Sequence, residues 1–132
     1  MIKYTSGYKY QLAQDAVIET CINTTGFDTQ FLKLHRGVLL IKSGYSWDGA
    51  SGPAYDSRNS MRASLYHDAC YQAIRQGWLG KQWRSTVDSE LGRLLKEDGM
   101  WWPRRKAWVW AVRKFAASAA DPKNRKPILE AP

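Results

Sequence analysis

Near residue 44 the chain changes its hydrophobic period, and that change limits the folds open to it. Before it, Tyr8, Tyr10 and Leu12 alternate with polar residues, residues 17–22 form a short β-branched run, and residues 31–34 and 38–42 read as a hairpin turning at Arg36-Gly37. After residue 59 the apolar positions recur every three or four residues, the spacing of one helix face. A chain that passes once from period 2 to period 3.6 is neither all-α nor all-β. The expectation is an α+β domain: a small N-terminal antiparallel sheet followed by three helices. The 132 residues suit a single domain. Its parts are a β-rich 1–43, a glycine-rich loop 44–59, a helical 60–119 and a flexible basic tail 120–132.

Local signals place the helices. Asp56, Ser57 or Asn59 can cap a first helix that runs to about Arg75 and stops at Gly77. A second spans about 81–97, with Trp83, Val87, Leu91, Leu94 and Leu95 on its apolar arc, and ends at Asp98-Gly99. Pro103 suits the first turn of a third, which buries Trp108, Val112, Phe115 and Ala119. No internal repeat is visible. The loop between sheet and helices is ordered by its aromatic residues Tyr45, Trp47 and Tyr55. Cys21 and Cys70 are too widely spaced for a metal motif and too few for a disulfide framework, and both read as buried thiols.

Charge is unevenly placed. The net charge is +8, yet residues 1–56 hold five cations and five acids. From Gly99 onward eight cations face only Asp121 and Glu130, which implies an anionic partner, lipid head groups or nucleic acid. On the third helix Lys106, Trp110, Arg113 and Lys114 gather opposite the apolar face. A tryptophan flanked by cations at i−4, i+3 and i+4 has the composition of a membrane-interface anchor. No apolar run reaches the length of a membrane span, and the first residues lack the apolar core of a secretion signal. A soluble intracellular chain is the expected product.

The chemistry concentrates at Leu65-Tyr66-His67-Asp68-Ala69-Cys70-Tyr71. Neighbours on a helix diverge by about 100°, so His67 and Asp68 serve two different sites, one suited to proton transfer and the other to a hard cation. Within about 60° of His67 lie Ser60, Ala63, Ser64, Cys70, Tyr71 and Ile74, mostly small residues that let another helix approach. Asp88 lies at the edge of the apolar arc on the next antiparallel helix, where an unpaired carboxylate is costly and a basic partner is expected. His67 is that partner, with Asp88 fixing its tautomer. Asp68 reads as a Ca2+ ligand, backbone carbonyls from Trp47 to Ala50 and the Asp48 carboxylate completing an oxygen shell that the glycines leave open. Zinc lacks ligands, since only His35 and His67 exist and neither cysteine is spaced to join them. Ser46, Ser51 and Ser64 lie in no Gly-x-Ser-x-Gly elbow.

Two resemblances rest on these residues. Asp48-Gly49-Ala50-Ser51-x-Pro53, Arg62-Ala63-Ser64-Leu65-x-His67-Asp68-x-x-Tyr71, Asp88 and Trp108-x-x-Ala111-Val112-Arg113-x-Phe115 resemble a family of small phage and prophage proteins that has no assigned activity. That likeness implies a viral origin. His67-Asp68-x-Cys70-Tyr71 is similar to the active-site helix of secreted phospholipases A2, whose histidine activates water and whose adjacent aspartate binds Ca2+. Prokaryotic members place the orienting aspartate on the following helix, at a spacing like that from His67 to Asp88. The resemblance implies His67 as base, Asp88 as orienter and Tyr71 as the third member of the catalytic set. It also implies Ca2+ held by Asp68 with Asp48, Trp47 and Gly49, in a calcium loop at 48–52.

The expected function is therefore a phage-encoded, Ca2+-assisted phospholipid hydrolase acting at an anionic membrane. One alternative is a non-catalytic virion or host-interaction protein that keeps the His/Asp network and binds other virion proteins. The other is a nucleic-acid binder using the basic C-terminal helix.

Overall fold

A computed structural model describes residues 2–4, 10–49, 57–115 and 129–131. It is an α+β arrangement. The centre of the β-rich part is a four-stranded antiparallel sheet of β3 (Ala16–Glu19), β4 (Phe27–Asp28), β5 (Leu32–His35) and β6 (Val38–Ile41), ordered β3-β6-β5-β4. Its hairpin turns where expected, at Arg36 (φ 50°) and Gly37 (φ 77°). Two successive positive φ angles make the turn whose twist matches paired strands. Alternation then sorts the faces: Ile18, Leu32, Leu34, Leu39 and Ile41 are buried, while Val17, Lys33 and Val38 are exposed. Register stacks the buried ones, with Leu39 opposite both Ile18 and Leu34 and Ile41 opposite Leu32.

Two short pairings lie outside the sheet. β2 (Tyr10–Gln11) joins β7 (Ser46–Trp47), so the start of the glycine-rich loop is a strand. β1 (Ile2–Tyr4) joins β8 (Leu129–Ala131), and a flexible tail is therefore wrong for its last residues, where Lys3 also meets Glu130 at 3.5 Å. The rest of the tail, Ala119 and the loop residues 50–56 lie outside the described residues, as does the side chain of Phe115.

The helices follow their punctuation. A 3-10 turn, Arg58–Ser60, capped by Ser57, leads into α1 (Met61–Gln76). α1 ends on Gly77 at φ 83°, where the Gly77 and Trp78 amides donate to the Ile74 and Ala73 carbonyls. α2 (Arg84–Glu97) stops before Gly99 at φ 89°, and α3 (Trp102–Phe115) has Pro103 in its first turn. α1 and α2 run antiparallel, since Arg62 at the start of one bridges Glu97 and Asp98 at the end of the other, each at 2.9 Å. Inner sheet residues and all three helices share one apolar core that includes Ile18, Leu39, Tyr66, Leu91, Leu94 and Trp108. Each such large side chain contributes roughly 1.5–3 kcal/mol by leaving water. Among the described residues, no helix is long and apolar enough to cross a membrane.

Candidate active site

Two adjacent stripes of α1 do different work. The first holds Ala63, His67 and Tyr71 and faces α2. Ala63 is fully buried, and such small residues let the helices approach closely enough for direct polar contact. His67 Nε2 lies 2.8 Å from Asp88 Oδ1, and the Tyr71 hydroxyl donates to the same oxygen at 2.6 Å. Tyr71 is one turn beyond His67, and their ring centroids are 4.0 Å apart. The expected contact between His67 and Asp88 is present, and all three side chains are buried.

The charges in this seam follow from their surroundings. Burial alone would raise Asp88, but hydrogen bonds from His67 and Tyr71, with the nearby Arg113 charge, outweigh it and hold the carboxyl below its ordinary range. For His67 burial is the larger influence and lowers its pKa; the bond to Asp88 opposes without reversing it. Burial, then the Asp88 contact, pushes the Tyr71 hydroxyl up, so it stays a donor. The pair therefore rests as a carboxylate and a neutral imidazole. The carboxylate takes the proton-bearing Nε2, which leaves Nδ1 as the nitrogen with a lone pair for water.

The second stripe, Ser64, Asp68 and Gln72, receives the loop. Trp47 Nε1 donates to Ser64 Oγ at 3.2 Å, and Ser64 donates in turn to the Met61 carbonyl at 3.0 Å. The Tyr45 hydroxyl donates to Gln72 Oε1 at 2.8 Å. Between them, half-buried Asp68 accepts the backbone N–H groups of Asp48 and Gly49. Gly49, buried at φ 82°, takes a left-handed turn there. Burial pushes Asp68 up to about 7 and the Asp48 charge adds to this, while the loop amides and Arg75 pull back.

This arrangement bears on Ca2+. Asp68 was expected to meet carbonyl oxygens from the loop; it meets amide N–H groups, the end of the peptide that repels a cation. Among the described residues no three His, Cys, Asp or Glu side chains group as a metal site. No step below passes through a metal. The Trp47 indole donates to Ser64, and exposed Asp48 is close enough to Asp68 for its charge to be felt there.

The four residues assigned to an anionic partner lie together on α3. Trp110 is 58% exposed, Lys106, Arg113 and Lys114 are exposed beside it, and Lys114 Nζ sits 4.9 Å from the Trp110 ring centre. Arg113 also lies close enough to Asp88 to affect it and donates to Ser89 Oγ at 3.4 Å.

Several contacts escaped sequence reasoning. Ser64 and Gln72 repeat every four residues with Asp68, a signal for a second working stripe. Buried Glu90 stands on the α2 apolar arc between Val87 and Leu94, accepting the Cys21 amide and an Arg93 guanidinium bond at 3.4 Å. Tying that backbone down leaves the Cys21 side chain in solvent, so Cys21 is exposed rather than buried; Cys70 is buried, and both are free thiols. Compared with known proteins, the chain matches no protein-family model, no curated protein and no solved structure.

Proposed function

We propose that the protein is a hydrolase of phage origin in which His67 activates water against an ester carbonyl, a phospholipid ester being the substrate class. The observation that supports it is the shared oxygen of Asp88, which takes both His67 Nε2 and the Tyr71 hydroxyl. Nδ1 accepts a proton from water as the water oxygen bonds to the carbonyl carbon. Asp88 stabilises the imidazolium, and the Tyr71 hydroxyl helps to keep Asp88 ionised. Collapse breaks the ester C–O bond, the imidazolium returns its proton to the departing alkoxide, and a fatty acid and an alcohol leave. A positioned base of this kind is worth roughly 10²–10⁴ in rate.

Fatty-acid release from mixed anionic vesicles, compared between the wild type and His67→Asn with and without added Ca2+, tests the reading. Release that falls at least a hundredfold in His67→Asn supports it. No release from the wild type in either condition sinks it. The second reading, a non-catalytic virion or host-interaction protein, draws on the 4% exposure of His67, which suits a polar strut between helices.

A further inference from the structure

We propose that the outer face of α3 docks on an anionic phospholipid surface, through a ladder of alternating tryptophan and lysine beside a cationic groove. This rests on the lipid-ester reading only for its purpose; the docking itself is carried by the face. Trp102, Lys106, Trp110 and Lys114 follow one another at four-residue spacing, with Arg113 among them. At about 100° per residue these five occupy roughly a third of the helix circumference. The opposite side, Trp108, Ala111 and Val112, is 3% exposed at each residue and belongs to the interior. Trp102 is 55% exposed, and Trp101 just before the helix is 72% exposed. Three indoles in water on one short segment mark an interaction surface.

The chemistry of the partner follows from the charges. α3 carries Arg104, Arg105, Lys106, Arg113 and Lys114 and no carboxylate. Between α3 and Gly92 of α2 runs a groove of about 460 Å³, lined by Arg105, Lys106, Val109, Trp110 and Arg113. Gly92 forms its floor without a side chain, and a Cβ there would touch Val109 Cγ2 at 3.4 Å. Three cations and no acid around such a space suit a phosphate diester head group. The indoles favour lipid over nucleic acid. Base stacking needs open ring faces, but Lys106 Nζ lies 5.4 Å from the Trp102 ring centre and Lys114 Nζ 4.9 Å from that of Trp110. At a head-group layer the same pairing works as it stands, with the indole beside the acyl boundary and the ammonium reaching the phosphates. The helix lies along the surface rather than across the bilayer, as it is about 21 Å long and its outer face interleaves indoles with cations.

Co-sedimentation with vesicles of phosphatidylglycerol and phosphatidylcholine, against pure phosphatidylcholine and against a DNA oligonucleotide, tests the proposal. The expected result is binding to the anionic vesicles that weakens with salt. Trp102→Ala/Trp110→Ala should lose about tenfold or more in partition, from the apolar area withdrawn. Lys106→Gln/Lys114→Gln, which keeps both indoles, should lose about fivefold for each lysine at low salt and less at high salt. His67→Asn should bind as the wild type does, so a failure of catalysis leaves this test intact. Wild-type partition in the double tryptophan variant, or tighter binding to DNA than to anionic vesicles at about 0.15 M salt, overturns the proposal.

Discussion

The seam between α1 and α2 and the outer face of α3 handle charge in opposite ways. In the seam one carboxylate serves two donors, and every polar atom just described is buried and within 3 Å of its partner. On α3 five cations stand with no acid on the same helix, and Lys106, Arg113 and Lys114 among them are exposed. A buried polar group must be paired when the protein folds, whereas an exposed one can wait for a partner. Proton transfer belongs to the first kind of site because its geometry and pKa values are set in advance. Recognition of an anionic surface belongs to the second.

The largest effect should come from breaking the seam. Asp88→Ala leaves His67 and Tyr71 buried without their acceptor, at a cost of about 3 kcal/mol in urea denaturation. A loss below about 1 kcal/mol would mean that the seam is wetter than its burial indicates, and would erase the contrast with α3.

Next comes pH, where His67 and Asp68 oppose each other. His67 has a lowered pKa, so the unfolded chain takes its proton first, and stability falls as pH drops below about 6.5. Asp88, also lowered, contributes stability above the ordinary carboxylate value that is lost as pH falls through its folded value. Asp68 is raised to about 7, so the folded chain holds the extra proton, and stability falls as pH rises from about 4 to about 7. Asp68→Asn should remove that last dependence. It should be more stable than the wild type at pH 8 by about 1 kcal/mol, with a steeper decline in acid. An unchanged thermal profile across pH 5–8 would show that Asp68 is not the proton-binding group.

How much of this was legible depends on what each element needs. The helices and the hairpin carry their own signals: Gly77 and Gly99 stop two helices, Pro103 starts a third, and Arg36-Gly37 turns the sheet. The His67 to Asp88 contact was legible because both its residues stand on helices with clear periods. The pairs β2–β7 and β1–β8 were not, since strands of two or three residues exist only through partners some 36 and 127 positions away. The amide contacts of Asp68 were not legible for a related reason. Glycine spacing shows that a loop can approach a carboxylate, but not whether its amides or its carbonyls turn inward. Trp102 was overlooked although its four-residue step to Lys106 is plain in the sequence, because the search for an anchor stopped at Trp110.

A smaller change should separate ring from hydroxyl in the seam. Tyr71→Phe keeps the aromatic contact with His67 and removes one hydrogen bond to Asp88, for a loss of about 1 kcal/mol. The Asp88 carboxyl should then titrate closer to its ordinary range, as followed by carbon NMR. No movement in either quantity would leave His67 as the only partner that matters to Asp88.

The smallest expected effect crosses from one region to the other. Arg113 takes part in both, lining the groove beside α3 while its charge favours the ionised forms of Asp88 and Tyr71. Removing it with Arg113→Gln should shift the apparent titration of the His67–Asp88 pair upward, since a nearby cation opposes protonation of either partner. The Arg113 guanidinium is exposed and screened by solvent, so the shift should be only a few tenths of a pH unit, with a stability change below about 0.5 kcal/mol. Proton NMR of the His67 ring reads the shift directly. An anionic vesicle that neutralises Arg113 should move the same resonance in the same direction in the wild type and leave it unmoved in Arg113→Gln. If vesicles shift His67 equally in both proteins, the two regions are electrically separate and the contrast between them is complete.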